Sequence, residues 1–320
     1  MAFPVAPGKP QYSRNFIPEL WLGKLVELFY PTTVFGEISN TDFIGNIKDQ
    51  GDKVIIRTMA ELNVKPYVKG QRIVSEHPDA PPIELLIDKG HYFSAIEDYV
   101  DKIQSDINLM DMWAKDATKK MQIAVDKDVL NGIVPDVSPM NEGAKAGRES
   151  GDINLGTVAS PIALNSSNII DFIINMGLVL SEANAPEEDR WIILPDKACA
   201  LVKRSDLRDA SIAGDGTSIM RNGRIGMIDG LTIYKSQHLK RETGNKYHIL
   251  AGHKMATTFA WQATRVENIT SEQVFGNIIR GFHVYGYKVV KPEALSHGVV
   301  TVGGLYGAGG AQGNTQPSTI

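Results

Sequence analysis

The run from about Asp101 to Val134 places the tightest constraint on what this chain can fold into. Apolar or small residues fall at Ile103, Ile107, Met110, Ala114, Ala117, Met121 and Ala124, with gaps alternating between four and three. That spacing gathers them on one face of an α-helix. Asp106, Asp111, Lys115, Lys119 and Lys120 fall largely on the remaining surface, and neither Gly nor Pro interrupts the run before Asn131-Gly132 and Pro135. A helix of roughly 30 residues at ~1.5 Å per residue spans about 45 Å, the width of a domain. Such a helix serves as a beam for an extended molecule.

The chain of 320 residues has room for two domains, or for one domain with long extensions. Its 42% hydrophobic and 22% charged residues are those of a folded protein with a buried core. A net charge of -4 argues against a protein whose main task is gripping nucleic acid, which needs clustered Lys and Arg. It leaves room for a container around nucleic acid. Cys199 is the single cysteine, so no intrachain disulfide forms; beside Ala198, Ala200 and Leu201 it reads as a small apolar helix residue. The opening Met-Ala-Phe-Pro-Val-Ala-Pro-Gly lacks a signal peptide's basic start and apolar core. No segment reaches the ~18 apolar residues of a membrane span. The expectation is a protein made and folded in a cytoplasm, with no membrane partner.

The first 45 or so residues open with Pro and Gly, then carry an amphipathic stretch from Glu19 to Tyr30 in which Trp21, Leu25, Leu28 and Phe29 form one helical face. An arm this short cannot bury that face alone, so it should dock on its own domain or on a neighbour. Strands are expected at Lys53–Met59, Ile83–Asp88 and Tyr92–Ile96. Between the first two lies a polar excursion, Asn63 to Pro82, holding Tyr67, Lys69-Gly70, Pro78, Pro81 and Pro82. Loops of this length without a core are uncommon and usually functional. The excursion reads as a projecting hairpin arm, with an irregular surface loop as the plainer alternative.

Residues 135–165, rich in Pro, Gly, Ser and Asn, mark the candidate boundary. Beyond them, Ser167-Asn168 caps a helix from Ile169 to Glu182 whose buried side is Ile169, Phe172, Ile173, Met176, Val179 and Leu180. Trp191–Leu194 reads as a buried strand and Pro195–Lys203 as a helix, with a Gly/Asp/Ser/Asn loop over 209–224. Strands at Leu231–Tyr234, His248–Leu250, Thr257–Trp261, Phe282–Tyr285 and Val299–Val302 complete an α+β pattern. From Gly303 onward the composition is that of a flexible tail.

Chemistry is absent from the motifs. There is no GxSxG elbow, phosphate-binding loop, HExxH or CxxC. The glycines of 303–310 have no helix after them, which excludes a dinucleotide loop. Asp206, Asp209 and Asp215 miss the spacing of a calcium loop. His248 and His253 would point to opposite faces of one strand, poor geometry for a metal, and read as ordinary surface or core histidines. Glu76, His77 and Asp79 cluster where nothing supplies a dry pocket. No catalytic, cofactor-binding or metal residues are expected, and an extended shape without an active site points to assembly.

The order of parts resembles the major capsid proteins of tailed bacteriophages, the Hong Kong 97-type fold. Three passages carry the resemblance. The first is the Tyr67-Val68-Lys69-Gly70-Gln71 excursion, with the return Ile87-Asp88-Lys89-Gly90-His91-Tyr92-Phe93 and Val100-Asp101-Lys102-Ile103-Gln104-Ser105 entering the long helix. The second is Arg190-Trp191-Ile192-Ile193-Leu194-Pro195. The third is Asn222-Gly223-Arg224-Ile225-Gly226-Met227-Ile228-Asp229-Gly230 before Leu231–Ser236.

The resemblance implies an α+β, Hong Kong 97-like capsid fold: an N-terminal arm at residues 1–49, an extended β-hairpin arm at 50–92, and a peripheral domain with its long spine helix at 93–149 and 256–281. The axial domain would take 150–255 and 282–302, followed by a flexible Gly-rich tail at 303–320. It implies self-assembly through pentamers and hexamers into an icosahedral shell around a double-stranded DNA phage genome, in the virion. The partners implied are a separate scaffolding protein, since the hairpin begins near Gly51, a portal protein, a decoration protein and loosely held DNA. Contact candidates between subunits are Tyr67, Lys69, Gly70 and Arg190. Trp191 is expected in the core, and Arg190 in an ion pair after Glu187-Glu188-Asp189. The family's Lys–Asn crosslink is not expected, because no Asn and Glu pair stands out to match Lys69. The rival readings are an encapsulin-like compartment shell, which shares the fold but holds protein cargo, and an uncharacterised hydrolase.

Overall fold

The computed structural model describes residues 33–42, most of 53–99, 109–205 and 224–302 apart from Gln273. The amphipathic stretch at 19–30, the helix positions Ile103 and Ile107, the loop with Asp206, Asp209 and Asp215, and the tail from Gly303 lie outside the described residues.

Four helices and twelve strands are described: α1 Phe35–Ile38, α2 Leu109–Gly132, α3 Ile169–Glu182, α4 Asp196–Val202, and β1 Lys53–Ile56, β2 Ile83–Leu86, β3 Lys89–Asp98, β4 Ile162–Leu164, β5 Arg190–Leu194, β6 Arg224–Ile228, β7 Leu231–Lys235, β8 Arg241–Glu242, β9 Lys246–His253, β10 Thr257–Thr270, β11 Gly276–Val289 and β12 Leu295–Val302. They form three sheets. The largest runs β4-β12-β9-β5-β7-β6, with β8 also on β9; a second runs β10-β11-β3; β1 and β2 pair alone.

The seven-stranded sheet is mixed. β12 lies parallel to β4 and β5 parallel to β7, while β12–β9, β9–β5, β7–β6 and β8–β9 are antiparallel. All five residues of β5 are buried. Alternate side chains serve opposite cores: Ile192 and Leu194 pack with α3 and α4, and Trp191 and Ile193 with the end of α2. A strand covered on both faces reads as a continuous apolar run, which is why Trp-Ile-Ile-Leu stands out in the sequence. The turn between β6 and β7 is Asp229-Gly230 with φ of 51° and 72°, two left-handed residues that match the twist of a tight hairpin.

The beam helix is real but differs from its expected seam. Ala114, Ala117, Met121 and Ala124 are only half-buried, whereas Val125, Asp126, Val129 and Leu130 are buried. The first turns run along the small sheet; only the last two, with Ile133 and Val134, enter the core beneath Trp191. Asp126, fully buried, accepts from the backbone N–H groups of Val34 and Phe35 at 2.8 and 2.9 Å and meets His238 Nδ1 at 2.5 Å. A short segment around α1 is thereby tied to the body, and Asn40 extends the tie by bridging to Thr258 of β10.

The expected boundary at 135–165 is not a loose linker. Ala146 and Leu155 are fully buried, and backbone bridges join Gly143 to Gly156 and Ala146 to Ile153. Gly and Asn serve tight turns there: Gly143, Gly147, Gly151 and Gly156 all have positive φ. β10 and β11, at 14 residues each, run far beyond the short strands expected. β11 passes unbroken through residues 281 and 282, where a domain boundary was expected.

Candidate functional site

Surface, rather than a cavity, is where this molecule offers a function. The hairpin arm begins on a small core of its own, in which Ile56, Leu85, Ile87 and Ala260 are buried together, with Val54, Ile83 and Val284 against them. At this root the backbone of β2 presses on β11 so closely that a Cβ at Gly286 would collide with the Leu86 carbonyl. Every described residue from Leu62 to His77 is exposed, and Val64 reaches 97%.

The expected contact residues Tyr67, Lys69 and Gly70 stand together in this excursion, all exposed. Gln71 N–H donates to Val68 O at 3.0 Å, and Val68 N–H donates to Gln71 Oε1 at 3.2 Å. Gly70, at φ 88°, supplies the left-handed residue that this turn needs. Tyr67 and Val68, 68% and 67% exposed, therefore project from a self-closed tip.

Arg190 is elsewhere, in the body of the subunit. It is 4% exposed, and its guanidinium reaches back to α3 rather than to the preceding acidic residues. Nε donates to Pro186 O at 2.7 Å; the terminal nitrogens donate to Ala185 O at 2.6 Å and Ser181 Oγ at 2.9 Å. A cation among these acceptors closes a helix C-terminus. Most of this planar donor fork is spent within its own chain.

Residues that the sequence reading missed lie on the small sheet. Tyr92 is 84% and Phe275 86% exposed, and Ile96, Trp113 and Phe282 also reach solvent. Trp113 and Met121 of α2 line a groove of about 500 Å³ with β3 residues. Beside Phe282, Glu267 holds Arg265 at 2.5 Å and Arg280 at 3.0 Å. The signal was present in Tyr92-Phe93: adjacent residues of a strand face opposite ways, so one of two neighbouring aromatics in a one-sided sheet must point outward.

Among the described residues no set suggests catalysis. Among the described residues no group of three or more His, Cys, Asp or Glu is placed to hold a metal. Burial pushes the Cys199 thiol up to about 12, so it is not a nucleophile at neutral pH. His253 spends its ring Nδ1 accepting from Met255 N–H at 3.1 Å. No described helix is long and apolar enough to cross a membrane.

A family model described as phage capsid protein matches residues 88–297. The chain belongs to the phage capsid protein family. It is a major capsid protein, a structural subunit that self-assembles into the capsomers of a virion shell. No curated protein matches its sequence. Among solved structures, the capsid protein is similar to one from Mycobacterium phage Che8, at 25% identity and TM-score 0.72, over 89% of this chain and 98% of that one. It shares its fold with the capsid of Cyanophage P-SCSP1u, at 15% identity and TM-score 0.64, over 91% of this chain and 94% of that one. The capsid of Ralstonia phage GP4 shows the same likeness at 10% identity and TM-score 0.63, over 96% and 100%.

Proposed function

We propose that this capsid protein builds its shell by arm exchange, in the Hong Kong 97-like manner. The seven-stranded sheet with α3 and α4 acts as the axial domain, α2 with the β10-β11-β3 sheet as the peripheral domain carrying the spine, and residues 53–88 as the arm. Tyr67, Lys69 and Gly70 contact a neighbouring subunit. One observation carries this reading: an excursion whose described residues are all exposed grows from a rooted, packed base. Apolar surface displayed in this way marks an interaction site. A shared large interface forms from many such modest contacts.

The reading extends to the contents and partners of the shell. Packaged double-stranded DNA is held loosely, which suits a protein of net charge -4. A separate scaffolding protein, a portal protein and a decoration protein complete the assembly, which takes place in the host cytoplasm. The test is imaging of purified particles with nucleic-acid extraction. Wild-type material should give closed shells, with nuclease-protected duplex DNA in those recovered from infected cells. Shells filled with a host enzyme and no DNA would overturn the genome assignment.

A further inference from the structure

His248, set aside by the sequence reading, belongs with His297 to a four-residue chain that the assembly reading does not use. β9 and β12 are antiparallel with His248 opposite Val299 and Leu250 opposite His297, so the two histidines are diagonal neighbours on one sheet face. Their ring planes lie within 11° of each other, and His248 Nδ1 faces His297 Nε2 at 2.9 Å. Each outer nitrogen meets a carboxylate: His297 Nδ1 lies 3.0 Å from Glu142 Oε2, and His248 Nε2 lies 3.2 Å from Glu242 Oε1. The imidazoles are 3% and 6% exposed. The carboxylates reach solvent, at 40% for Glu142 and 32% for Glu242.

Counting hydrogens across this chain gives an uneven result. Three contacts of hydrogen-bond length need one hydrogen each, and two neutral imidazoles carry two. Carboxylates only accept, so they hold the hydrogens on His297 Nδ1 and His248 Nε2. The two inner nitrogens are then both bare and point at each other. One added proton fills that gap and completes the chain. A second would set two N–H groups head to head, with two positive charges in contact. We infer that Glu142, His297, His248 and Glu242 form a one-proton binding site, which takes a single proton between its two imidazoles and refuses another while the chain is folded.

The charged groups facing the pair are Glu142 from the turn at 139–141 and its next residue, and Lys240 and Glu242 from the strand β8 and its approach. Burial is the largest influence and pulls both histidines below the ordinary imidazole value; Lys240 adds to it and the glutamates oppose it. The sign follows. A histidine whose folded value is lowered stabilises the fold above its unfolded value of 6.5, and that contribution is lost as the pH falls through the lowered value. Acid strong enough to force the second proton on therefore works against the contact, and the site joins separate segments. Glu142 is also bridged to His297 through the backbone, and Asn141 Nδ2 donates to Leu295 O at 2.8 Å. Splitting the pair loosens the 139–146 segment and the β8 strand from β9 and β12.

The experiment is nitrogen NMR of full-length subunits labelled at histidine, with His248→Gln and His297→Gln to assign the signals. From about pH 8 to about pH 5 the folded pair should gain about one proton in total, with the two inner nitrogens shifting together as one coupled titration. Hydrogen exchange should rise first at 139–146 and 240–248 as the pH falls further. If a Gln variant does not fold, Glu142→Gln, at a half-exposed position, supplies the assignment. Two independent and complete protonations in the folded chain would overturn the inference. So would exchange at those two segments that does not respond to pH.

Discussion

The strand β5 and the arm tip stand at opposite ends of one scale. In β5 each of five consecutive residues is buried, while along the excursion from Leu62 to His77 each described residue is exposed. Both contain bulky apolar side chains, Trp191 and Ile192 in one, Tyr67 and Val68 in the other. Apolar content therefore does not distinguish them. What differs is whether the same chain supplies the cover. β5 has a helix pair on one side and the end of α2 on the other; at the tip the described residues Val68 and Gln71 close a turn on each other and stay exposed. On the proposed arm exchange, a shell subunit needs both conditions, a body complete in itself and an arm completed by another copy.

The largest expected effect tests the body. Trp191 is 1% exposed and sits against Gly252, where the backbone of β9 leaves room for the indole. Trp191→Ala should lower subunit stability by about 3–5 kcal/mol through lost burial and a residual cavity. Chemical denaturation of the isolated subunit measures it. A variant as stable as wild type would mean that the two-sided core is not what holds β5.

A smaller effect is expected at its neighbour. Arg190→Ala removes the donors to Pro186 O, Ala185 O and Ser181 Oγ. Leaving buried acceptors unpaired should cost roughly 1–3 kcal/mol. Hydrogen exchange should show the loss concentrated at the end of α3. Equal stability together with failed capsomer assembly would support the intersubunit role expected from sequence and blur the line between body and arm.

Where the sequence was legible, local pattern and final burial agreed. α3 runs from Ile169 to Glu182 as its periodicity required, and its buried side is the expected one, because a short helix on a sheet buries a single stripe. β5 was readable for the same reason. The long helix was legible as an element but not in its packing, since its seam reflects where the core ends and not the spacing alone. The intrachain partners of Arg190 were not legible, because three acidic residues precede it and the carbonyls that it reaches are brought close only by the turn after α3. The chain from Glu142 to Glu242 through His297 and His248 was out of reach. It depends on the β9–β12 register between positions 49 residues apart. β10 and β11 were shortened in the reading because their outer halves carry Arg265, Glu267 and Arg280, whose charges satisfy each other across an exposed sheet face.

The smallest effect on the subunit is expected at the arm, and it is the most discriminating. Tyr67 is 68% exposed and belongs to none of the described core clusters, so Tyr67→Ser should change the stability of the free subunit by less than about 0.5 kcal/mol, as is usual for surface positions. In the shell the same ring would lie against a neighbour, where an aromatic anchor is worth far more than its rim. Denaturation of free subunits and particle yield after assembly should therefore disagree, with normal melting and few or fragile shells. Hydrogen exchange at Val68 and Gln71 should slow on assembly in wild type and stay fast in the variant. Normal shells from Tyr67→Ser would move the contact to another part of the arm. A destabilised free subunit would show that the tip is packed within its own chain, and the contrast with β5 would fail.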